Sequence, residues 1–358
     1  MSLFVLLVFG RPCGVLDLFD EVTGTYLGAQ ILNCTRIDLQ HSSISARGVI
    51  DLAQAILVNS SDALMVLQLG GTAAGDPAAV ALAQATASKD RLSQVDLGAI
   101  AMTAEGAATW AATVETHPSL RTLDLEWNRV GDAGAGALAR ALSSGSSMLE
   151  RLGLERNQLG DAAAVALSET LRTNQRLQVL SLEGNAIGAE GVRAIGSALS
   201  DNRALRILNL GLNPAGAEGG RGLADGLRTN MWLQRLMLGD TALGDEGAVA
   251  LARSLRFNGA LVHLDLRQNG IGDVGALALA EALRLNTGLR TLHLDLNSIG
   301  SVGAAELLSA VRANPYLQSL TLERNEVYPP LGAPRIAGIS SVVHHELLAV
   351  LGARNQMV

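Results

Sequence analysis

Charged side chains recur at a spacing of about 28 residues through much of the chain, next to leucines that alternate with them. One tryptophan, Trp127, stands among these charged positions. Carboxylates and arginines at regular intervals can bind a partner of opposite charge, and a surface tryptophan can add a large apolar contact. The residues that we predict to contact a partner are Asp124, Glu126, Trp127, Glu155, Arg156, Glu183, Asp240, Asp265, Arg267, His293, Asp295, Glu323 and Arg324. Because most of them are acidic, the expected partner is a protein with a basic surface patch.

The histidines of the chain indicate no catalytic or metal-binding site. Five of them have no cysteine or carboxylate at a metal-ligand spacing: His117, His263, His293, His344 and His345. His345 and Glu346 begin the HExxH pattern of zinc proteases, but Ala349 stands where the second histidine is needed. The group of His293, Asp265 and Asp295 lacks a nucleophile and is interpreted as contact surface. We therefore predict no enzymatic activity, no metal and no cofactor.

The predicted contact residues lie in the first half of a unit that the chain repeats. In the stretch from Leu177 to Asn202, the first half reads LxxLxLxxNxIG and alternates with period two, which predicts a short strand. The second half places Gly191, Ile195 and Leu199 three to four residues apart, which predicts a helix that ends near Asn202. One strand and one helix cannot bury their apolar sides alone, so each unit needs neighbouring copies.

The first position of this unit recurs eleven times, in steps of 28 to 30 residues. It is occupied by Cys34, Leu64, Leu92, Leu120, Leu149, Leu177, Leu205, Leu233, Leu261, Leu289 and Leu317. Parallel strands lie about 4.8 Å apart, whereas packed helices need roughly 8–10 Å. We therefore predict an α/β solenoid shaped as a horseshoe, with about eleven repeats. A parallel β-sheet would line the concave face and α-helices the convex face.

The repeated pattern over residues 34–328 resembles the leucine-rich repeats of the ribonuclease-inhibitor type. The resemblance depends on three features of the repeat: the strand motif LxxLxLxxN, an inward-facing apolar residue followed by glycine, and the helical motif GxxxAxxxL. Repeats of this type also occur in NOD-like receptors and in the activating protein of the Ran GTPase. The resemblance is specific for the fold and implies a concave sheet that offers a recognition surface.

An asparagine follows the strand in seven repeats, and we predict that it supports the backbone where the chain leaves the sheet. Its amide has both a donor and an acceptor for covered backbone groups. The members of this asparagine ladder are Asn128, Asn157, Asn185, Asn213, Asn269, Asn297 and Asn325. Glycines that recur just before each helix, such as Gly188 and Gly216, predict a tight turn there. No GK[ST] motif follows them, which argues against a phosphate-binding loop.

Both ends of the repeat array are expected to be covered. Residues 1–33 are interpreted as an N-terminal cap or degenerate first repeat, with Cys13 in its strand and a short helix near Tyr26. Residues 34–328 form the solenoid. Residues 329–358 contain a proline-rich loop and then SSVVHHELLAVL, whose pattern predicts an amphipathic capping helix.

Composition restricts the partners and the compartment. The net charge of −7 argues against a general nucleic-acid binder, and no apolar run is long enough to span a membrane. Cys13 and Cys34 stand at repeat-leucine positions and are interpreted as small buried side chains, with a bridge between them as the alternative. The scarcity of cysteine predicts a cytoplasmic location, with secretion as the alternative.

These observations favour a non-enzymatic protein–protein interaction scaffold that binds its partner on the acidic concave face. The resemblance also implies two alternatives. One is a GTPase-activating or regulatory protein for a Ran-like small GTPase, although the catalytic loop of that family does not map onto this sequence by motif. The other is a detached sensor domain of a NOD-like immune receptor.

Overall fold

The computed structural model describes residues 12–13, 19–20, 25–26, 34–59 and 62–325. The chain divides into two compact units, unit 1 from Met1 to Leu159 and unit 2 from Gly160 to Val358. Each unit contains strand–turn–helix repeats whose strands pair in parallel, which confirms the predicted solenoid. The C-terminal loop and capping helix predicted over residues 329–358 lie outside the described residues.

Unit 1 contains the first repeats. Its strands are β1 (Pro12–Cys13), β2 (Phe19–Asp20), β3 (Thr25–Tyr26), β4 (Arg36–Asp38), β5 (Val66–Gln68), β6 (Gln94–Asp96), β7 (Thr122–Asp124) and β8 (Arg151–Gly153). Its helices are α1 (Ala46–Val58), α2 (Gly75–Thr86), α3 (Ala104–Thr116) and α4 (Gly131–Ser143). Strand β1 pairs with β4, and β4 to β8 pair in chain order, all in parallel. Strands β2 and β3 pair antiparallel, so Tyr26 lies in a strand and the short helix predicted there is wrong.

Unit 2 contains the most regular repeats. Its strands are β9 (Val179–Ser181), β10 (Ile207–Asn209), β11 (Arg235–Met237), β12 (His263–Asp265), β13 (Thr291–His293) and β14 (Ser319–Thr321). Its helices are α5 (Asp161–Thr173), α6 (Ala189–Leu199), α7 (Gly216–Leu227), α8 (Gly244–Leu255), α9 (Asp273–Leu285) and α10 (Ser301–Ala313). The strands pair in parallel and in chain order.

The alternation within each strand decides which side of the sheet is buried. In β10, Leu208 is buried between two half-exposed neighbours, and it lies in register with Leu180 and Leu236. Such leucines pack against the apolar sides of the helices, where Leu223 and Leu251 are also fully buried. Burying one leucine side chain stabilises the fold by about 1.5–3 kcal/mol. The residues on either side of each buried leucine are left on the open side of the sheet.

Several helices receive a carboxylate cap from the repeat before them. Asp161 Oδ1 accepts hydrogen bonds from the amides of Gly188 (2.7 Å) and Gly191 (2.9 Å) at the start of α6. The first amides of a helix have no partner within the helix, and a negative charge there is favourable. Gly188, just before α6, is extended (φ −88°, ψ −167°), whereas Gly216, the first residue of α7, is left-handed (φ +62°). The predicted tight turn therefore forms in some repeats only.

The predicted asparagine ladder lies where the chain leaves the sheet. Asn213 is 1% exposed, and its Nδ2 donates to the carbonyls of Leu182 (2.9 Å) and Leu210 (3.0 Å). Its Oδ1 accepts from the amide of Ile187 at 3.0 Å. Asn185 is only half-buried and donates to Leu182. These bonds link consecutive repeats through backbone groups that water does not reach.

A second asparagine ladder, which the sequence analysis does not identify, lies between each helix and the next strand of unit 2. Asn258 Nδ2 donates to the carbonyls of Leu227 (2.7 Å) and Asn230 (2.8 Å). Its Oδ1 accepts from the amides of Ala260 (3.0 Å) and Leu261 (2.9 Å). The buried members are Asn174, Asn202, Asn230, Asn258, Asn286 and Asn314. Of these, only Asn202 has a sequence-based prediction, as the end of a helix.

Cys34 differs from the prediction. Its side chain is buried as expected, but it is disulfide-bonded. Cys13 is the other cysteine of the sequence, and its side chain lies outside the described part of the chain. The interpretation of Cys34 as an unbridged small side chain is therefore wrong, and the bridged alternative is favoured.

Candidate functional site

The predicted contact residues occupy three positions of the repeat. Asp124, Asp265 and His293 end strands β7, β12 and β13. Two residues after a strand stand Glu126, Glu155, Glu183, Arg267, Asp295 and Glu323. Three residues after a strand, in the turn before the ladder position, stand Trp127, Arg156, Asp240 and Arg324, all with φ between +52° and +57°. The repeat thus places all thirteen at the carboxyl ends of the strands, within their own units.

Four carboxylates of unit 1 form a cluster that we call the acidic patch: Asp96, Asp124, Glu126 and Glu155. Asp124 Oδ1 accepts a hydrogen bond from the amide of Glu126 at 3.0 Å. Gly153 lies between Asp124 and Glu155. A Cβ atom there would lie 2.8 Å from Asp124 Oδ1 and 3.0 Å from Glu155 Oε2. The missing side chain at Gly153 is therefore what lets these two carboxylates approach each other.

The close approach of these carboxylates changes their chemistry. The pKa of Asp124 is raised to about 6, mainly by burial and also by the charges of Glu155, Asp96 and Glu126, against the opposing hydrogen bond from the Glu126 amide. Glu155 Oε2 is buried and has no hydrogen-bond partner among the described residues. A buried acceptor without a partner costs roughly 1–3 kcal/mol. The patch can therefore gain free energy from a donor supplied by a ligand.

Three of these carboxylates also have the spacing of an oxygen-ligand set for a cation. Asp124, Glu126 and Glu155 each offer one oxygen, and the three oxygens lie within 4.8 Å of one another. Hard divalent cations prefer such oxygens. Exposed acidic groups commonly lie this close without an ion, however, so the spacing alone assigns no metal.

Trp127 projects from the turn beside the acidic patch. Its side chain is 55% exposed, and its amide donates to the carbonyl of Glu155 at 2.8 Å. The guanidinium carbon of Arg156 lies 4.3 Å from the centroid of the indole ring. A cation–π contact of this kind is worth about 0.5–1 kcal/mol at an exposed site and holds both side chains in place. The indole is thus held in place while more than half of it is exposed.

Unit 2 has a shallow depression on the open side of its sheet, with a volume of about 260 Å³. Gly211, Met237 and Gly239 are among the residues that line it. Glu183 and Asp240 contribute carboxylates to its wall. Glu183 Oε2 accepts a hydrogen bond from Asn209 Nδ2 at 2.7 Å.

Asp265 and Arg267 bind each other in this wall. Arg267 Nε donates to both carboxylate oxygens of Asp265, at 2.9 and 3.0 Å, and the Asp265 side chain is only 5% exposed. Burial alone would raise the pKa of Asp265, but the hydrogen bonds and charge of Arg267 hold it below its usual value. Asp265 is therefore neutralised inside the protein, and Arg267 offers the more exposed surface.

The polar group around His293 is arranged differently from a catalytic triad. His293 Nδ1 lies 3.0 Å from Thr321 Oγ1, and Thr321 Oγ1 also donates to Asp295. In a triad the carboxylate orients the histidine, and the histidine bonds the hydroxyl. Here the carboxylate bonds the hydroxyl instead. The rings of His263 and His293 lie edge to face with centroids 5.0 Å apart, so His293 is held in place by its neighbours.

Comparison with protein families and solved structures identifies the repeats. A family model described as Leucine Rich repeat matches residues 116–139, 173–196, 229–252, 260–280 and 285–308. No curated protein sequence matches the chain significantly. Some 224 chains of solved structures match it. The similarity of this chain to known proteins therefore lies in its leucine-rich repeats and its fold.

Two solved structures share the fold over most of this chain. The structure described as a complex of Rad7 and Elc1 in yeast has a TM-score of 0.53 and 16% identity, and the match covers 90% of this chain and 71% of that one. The structure described as a TLR13–ssRNA13 complex has a TM-score of 0.50 and 17% identity, and the match covers 85% of this chain and 41% of that one. Identities this low show the fold alone. Within the described residues, no helix has the length and apolar character needed to cross a membrane.

Proposed function

We propose that this leucine-rich repeat protein is a protein-interaction scaffold that binds a basic partner on the open side of its sheet. The observation that carries the proposal is Trp127, which Arg156 holds in place beside the acidic patch with 55% of its side chain exposed. Large apolar contacts at the centre of an interface, surrounded by polar groups, concentrate binding energy. In support, the yeast structure that shares the fold is described as a complex of two proteins.

The acidic patch provides the polar part of this surface. Glu155 Oε2 is buried without a hydrogen-bond donor among the described residues, and Asp124 lies beside it across Gly153. An arginine or lysine of a partner would supply the missing donors and offset the repulsion between the carboxylates. Charge-assisted hydrogen bonds of this kind are stronger than neutral ones. The patch therefore favours a basic partner over a neutral one.

The scaffold is proposed to act without catalysis. Among the described residues, the group that comes closest to a catalytic triad consists of His293, Thr321 and Asp295. Its carboxylate bonds the Thr321 hydroxyl instead of the histidine ring that it would need to orient. The cysteine chemistry supports a proposal for the cellular location. A disulfide at Cys34 is typical of oxidising compartments, so it favours the secreted alternative over the cytoplasm.

Trp127→Ala is expected to weaken binding of the partner by about 2 kcal/mol, close to thirtyfold in Kd. Glu155→Lys should slow association most clearly at low salt, because it reverses a charge that attracts the partner. Both variants should fold normally, since both side chains lie outside the leucine core. Glu115→Lys is the matched control, because it makes the same charge reversal at an exposed position of α3.

A single experiment can identify the partner and test whether it binds at the proposed site. The native chain, the two sheet-side variants and the Glu115→Lys control are used as parallel baits, and captured proteins are compared by mass spectrometry. Proteins lost from the Trp127 and Glu155 baits but retained by the control are then purified and titrated. Equal capture by all four baits, or loss from the control alone, would contradict the proposed site.

A further inference from the structure

The connections from helix to strand in unit 2 are unexpectedly basic for a chain with a net charge of −7. Over residues 174–318 the six connections contain six arginines and one aspartate: Arg176, Arg203, Arg206, Arg228, Arg256 and Arg290 against Asp201. The equivalent connections from α1 to β8 balance their charges: Lys89, Arg91 and Arg121 against Asp62, Asp90 and Glu150. Positive charge is thus concentrated at one edge of unit 2, where the helices end.

A groove between helices α7 and α8 opens next to this edge. We call it the helix groove, and its volume is about 590 Å³. The two helices approach closely near their starts, because a Cβ atom at Gly220 would lie 3.1 Å from the Cα atom of Gly247. Further along, Ala224 and Ala250 line the groove with small side chains. The groove can therefore receive an extended chain or a side chain of moderate size.

The charges in the helix groove differ between its two ends. Near the helix starts, Arg221 is neutralised by ion pairs to Glu218 (2.5 Å) and Glu246 (2.8 Å). Near the helix ends, the groove is lined by the exposed arginines Arg228, Arg253 and Arg256. No carboxylate oxygen of a described residue lies within 4.0 Å of these three guanidinium groups. The end of the groove therefore has positive charge that the described fold does not neutralise.

Phe257 stands among these arginines. Its side chain is 64% exposed, and the guanidinium carbon of Arg228 lies 5.6 Å from its ring centroid. An exposed phenylalanine surrounded by arginines combines an apolar contact with donors of fixed geometry. Aromatic residues and arginine are enriched among the residues that dominate protein interfaces.

We propose that the helix groove binds an acidic peptide segment of a protein partner. Carboxylates of the segment would accept hydrogen bonds from Arg228, Arg253 and Arg256, and an apolar side chain of the segment would cover Phe257. Guanidinium groups bind carboxylates in a bidentate, planar geometry. Asp225 also lines the groove. Its charge would repel closely spaced phosphates of a nucleic acid or a lipid surface, whereas a peptide can place a neutral residue opposite it.

This proposal does not depend on the scaffold surface of unit 1. The helix groove is basic and lies on the helices of unit 2, whereas the acidic patch lies on the sheet of unit 1. The two surfaces would bind segments of opposite charge. Trp127→Ala should therefore leave binding in the helix groove unchanged, and each proposal can fail without the other.

The test uses a fluorescein-labelled peptide, EEFEELEE, titrated with the full chain by fluorescence anisotropy. Arg253→Ala/Arg256→Ala is expected to weaken binding about tenfold or more, and Phe257→Ala about threefold or more. Arg140→Ala removes one positive charge from the last turn of α4 in unit 1 and should change binding less than about twofold. Raising NaCl from about 50 to about 300 mM should weaken binding of the wild-type protein.

Further probes decide what the groove recognises. The peptide KKFKKLKK should not bind there, and EEGEEGEE should bind more weakly than EEFEELEE because it cannot cover Phe257. Circular dichroism melts establish that each variant is folded. Equal binding of EEFEELEE by the double variant and the wild type would overturn the proposal. So would a groove-dependent affinity for phosphatidylserine vesicles or oligouridylate that exceeds the affinity for the acidic peptide.

Discussion

Replacing Asn258 by leucine is expected to lower the free energy of unfolding by about 3 kcal/mol or more. The variant leaves two carbonyls, of Leu227 and Asn230, and two amides, of Ala260 and Leu261, without their present partner. Asn258 is 1% exposed, so water cannot readily replace the amide. Each buried backbone group that loses its partner costs roughly 1–3 kcal/mol. Partial relaxation of the connection makes the sum smaller than four separate losses.

The matched control for this prediction is Asn209→Leu. Asn209 is half-exposed on the sheet and makes one bond to Glu183 and one to the amide of Gly211. Water can satisfy both partners after substitution, so the expected loss is below about 1 kcal/mol. Urea denaturation followed by circular dichroism measures both variants. If Asn258→Leu were no less stable than Asn209→Leu, the second asparagine ladder would not contribute to stability as inferred.

Replacing Asp124 by asparagine is expected to stabilise the protein at neutral pH by about 2–3 kcal/mol and to have little effect near pH 4. The pKa of Asp124 is about 6 in the folded protein, mainly because of burial and also because of the neighbouring carboxylates. Between about pH 4 and about pH 6 the folded state therefore binds more protons than the unfolded state. Stability is lost as the pH rises through this window, because the carboxylate must ionise in an unfavourable site. Asparagine retains the acceptor for the Glu126 amide and never ionises.

The pH dependence distinguishes this effect from a general gain in stability. Wild type, Asp124→Asn and the control Glu115→Gln are unfolded in urea at about pH 4 and about pH 7.5. Glu115 is exposed, so its variant should differ from the wild type by less than about 0.5 kcal/mol at both pH values. If Asp124→Asn raised the free energy of unfolding equally at the two pH values, ionisation of this carboxyl would not be what limits stability.

Much of the fold can be predicted from the sequence, because the repeat leaves little freedom. A leucine such as Leu208 recurs at a constant step, and only parallel stacking in register buries it against Leu180 and Leu236. The asparagine after the strand also has a clear local signal. The second ladder has one too, since an asparagine recurs before each strand of unit 2, but only the structure shows that its amide bonds the preceding repeat.

The surface chemistry is harder to predict, because it depends on distances between side chains of different repeats. From the sequence, the same prediction is made for Asp265 and Asp124, namely a carboxylate exposed on the sheet. In the structure, Arg267 neutralises Asp265, whereas Gly153 allows Glu155 to approach Asp124. The arginines near the helix ends are hard to predict as a binding site for a different reason. The repeat pattern indicates a recognition surface on the sheet and gives no signal for a binding site on the helices.

Hydroxyl-radical footprinting of the chain, alone and with the captured partner, tests the central claim most directly. Trp127 is 55% exposed on the sheet side of unit 1, and Phe257 is 64% exposed in the helix groove of unit 2. Both side chains are reactive toward the radical, so each reports on one surface in the same sample. A basic partner bound as proposed should strongly protect Trp127 from oxidation and leave Phe257 unchanged. Unchanged oxidation of Trp127, with protection of Phe257 in the bound sample, would contradict the assignment of the partner to the sheet.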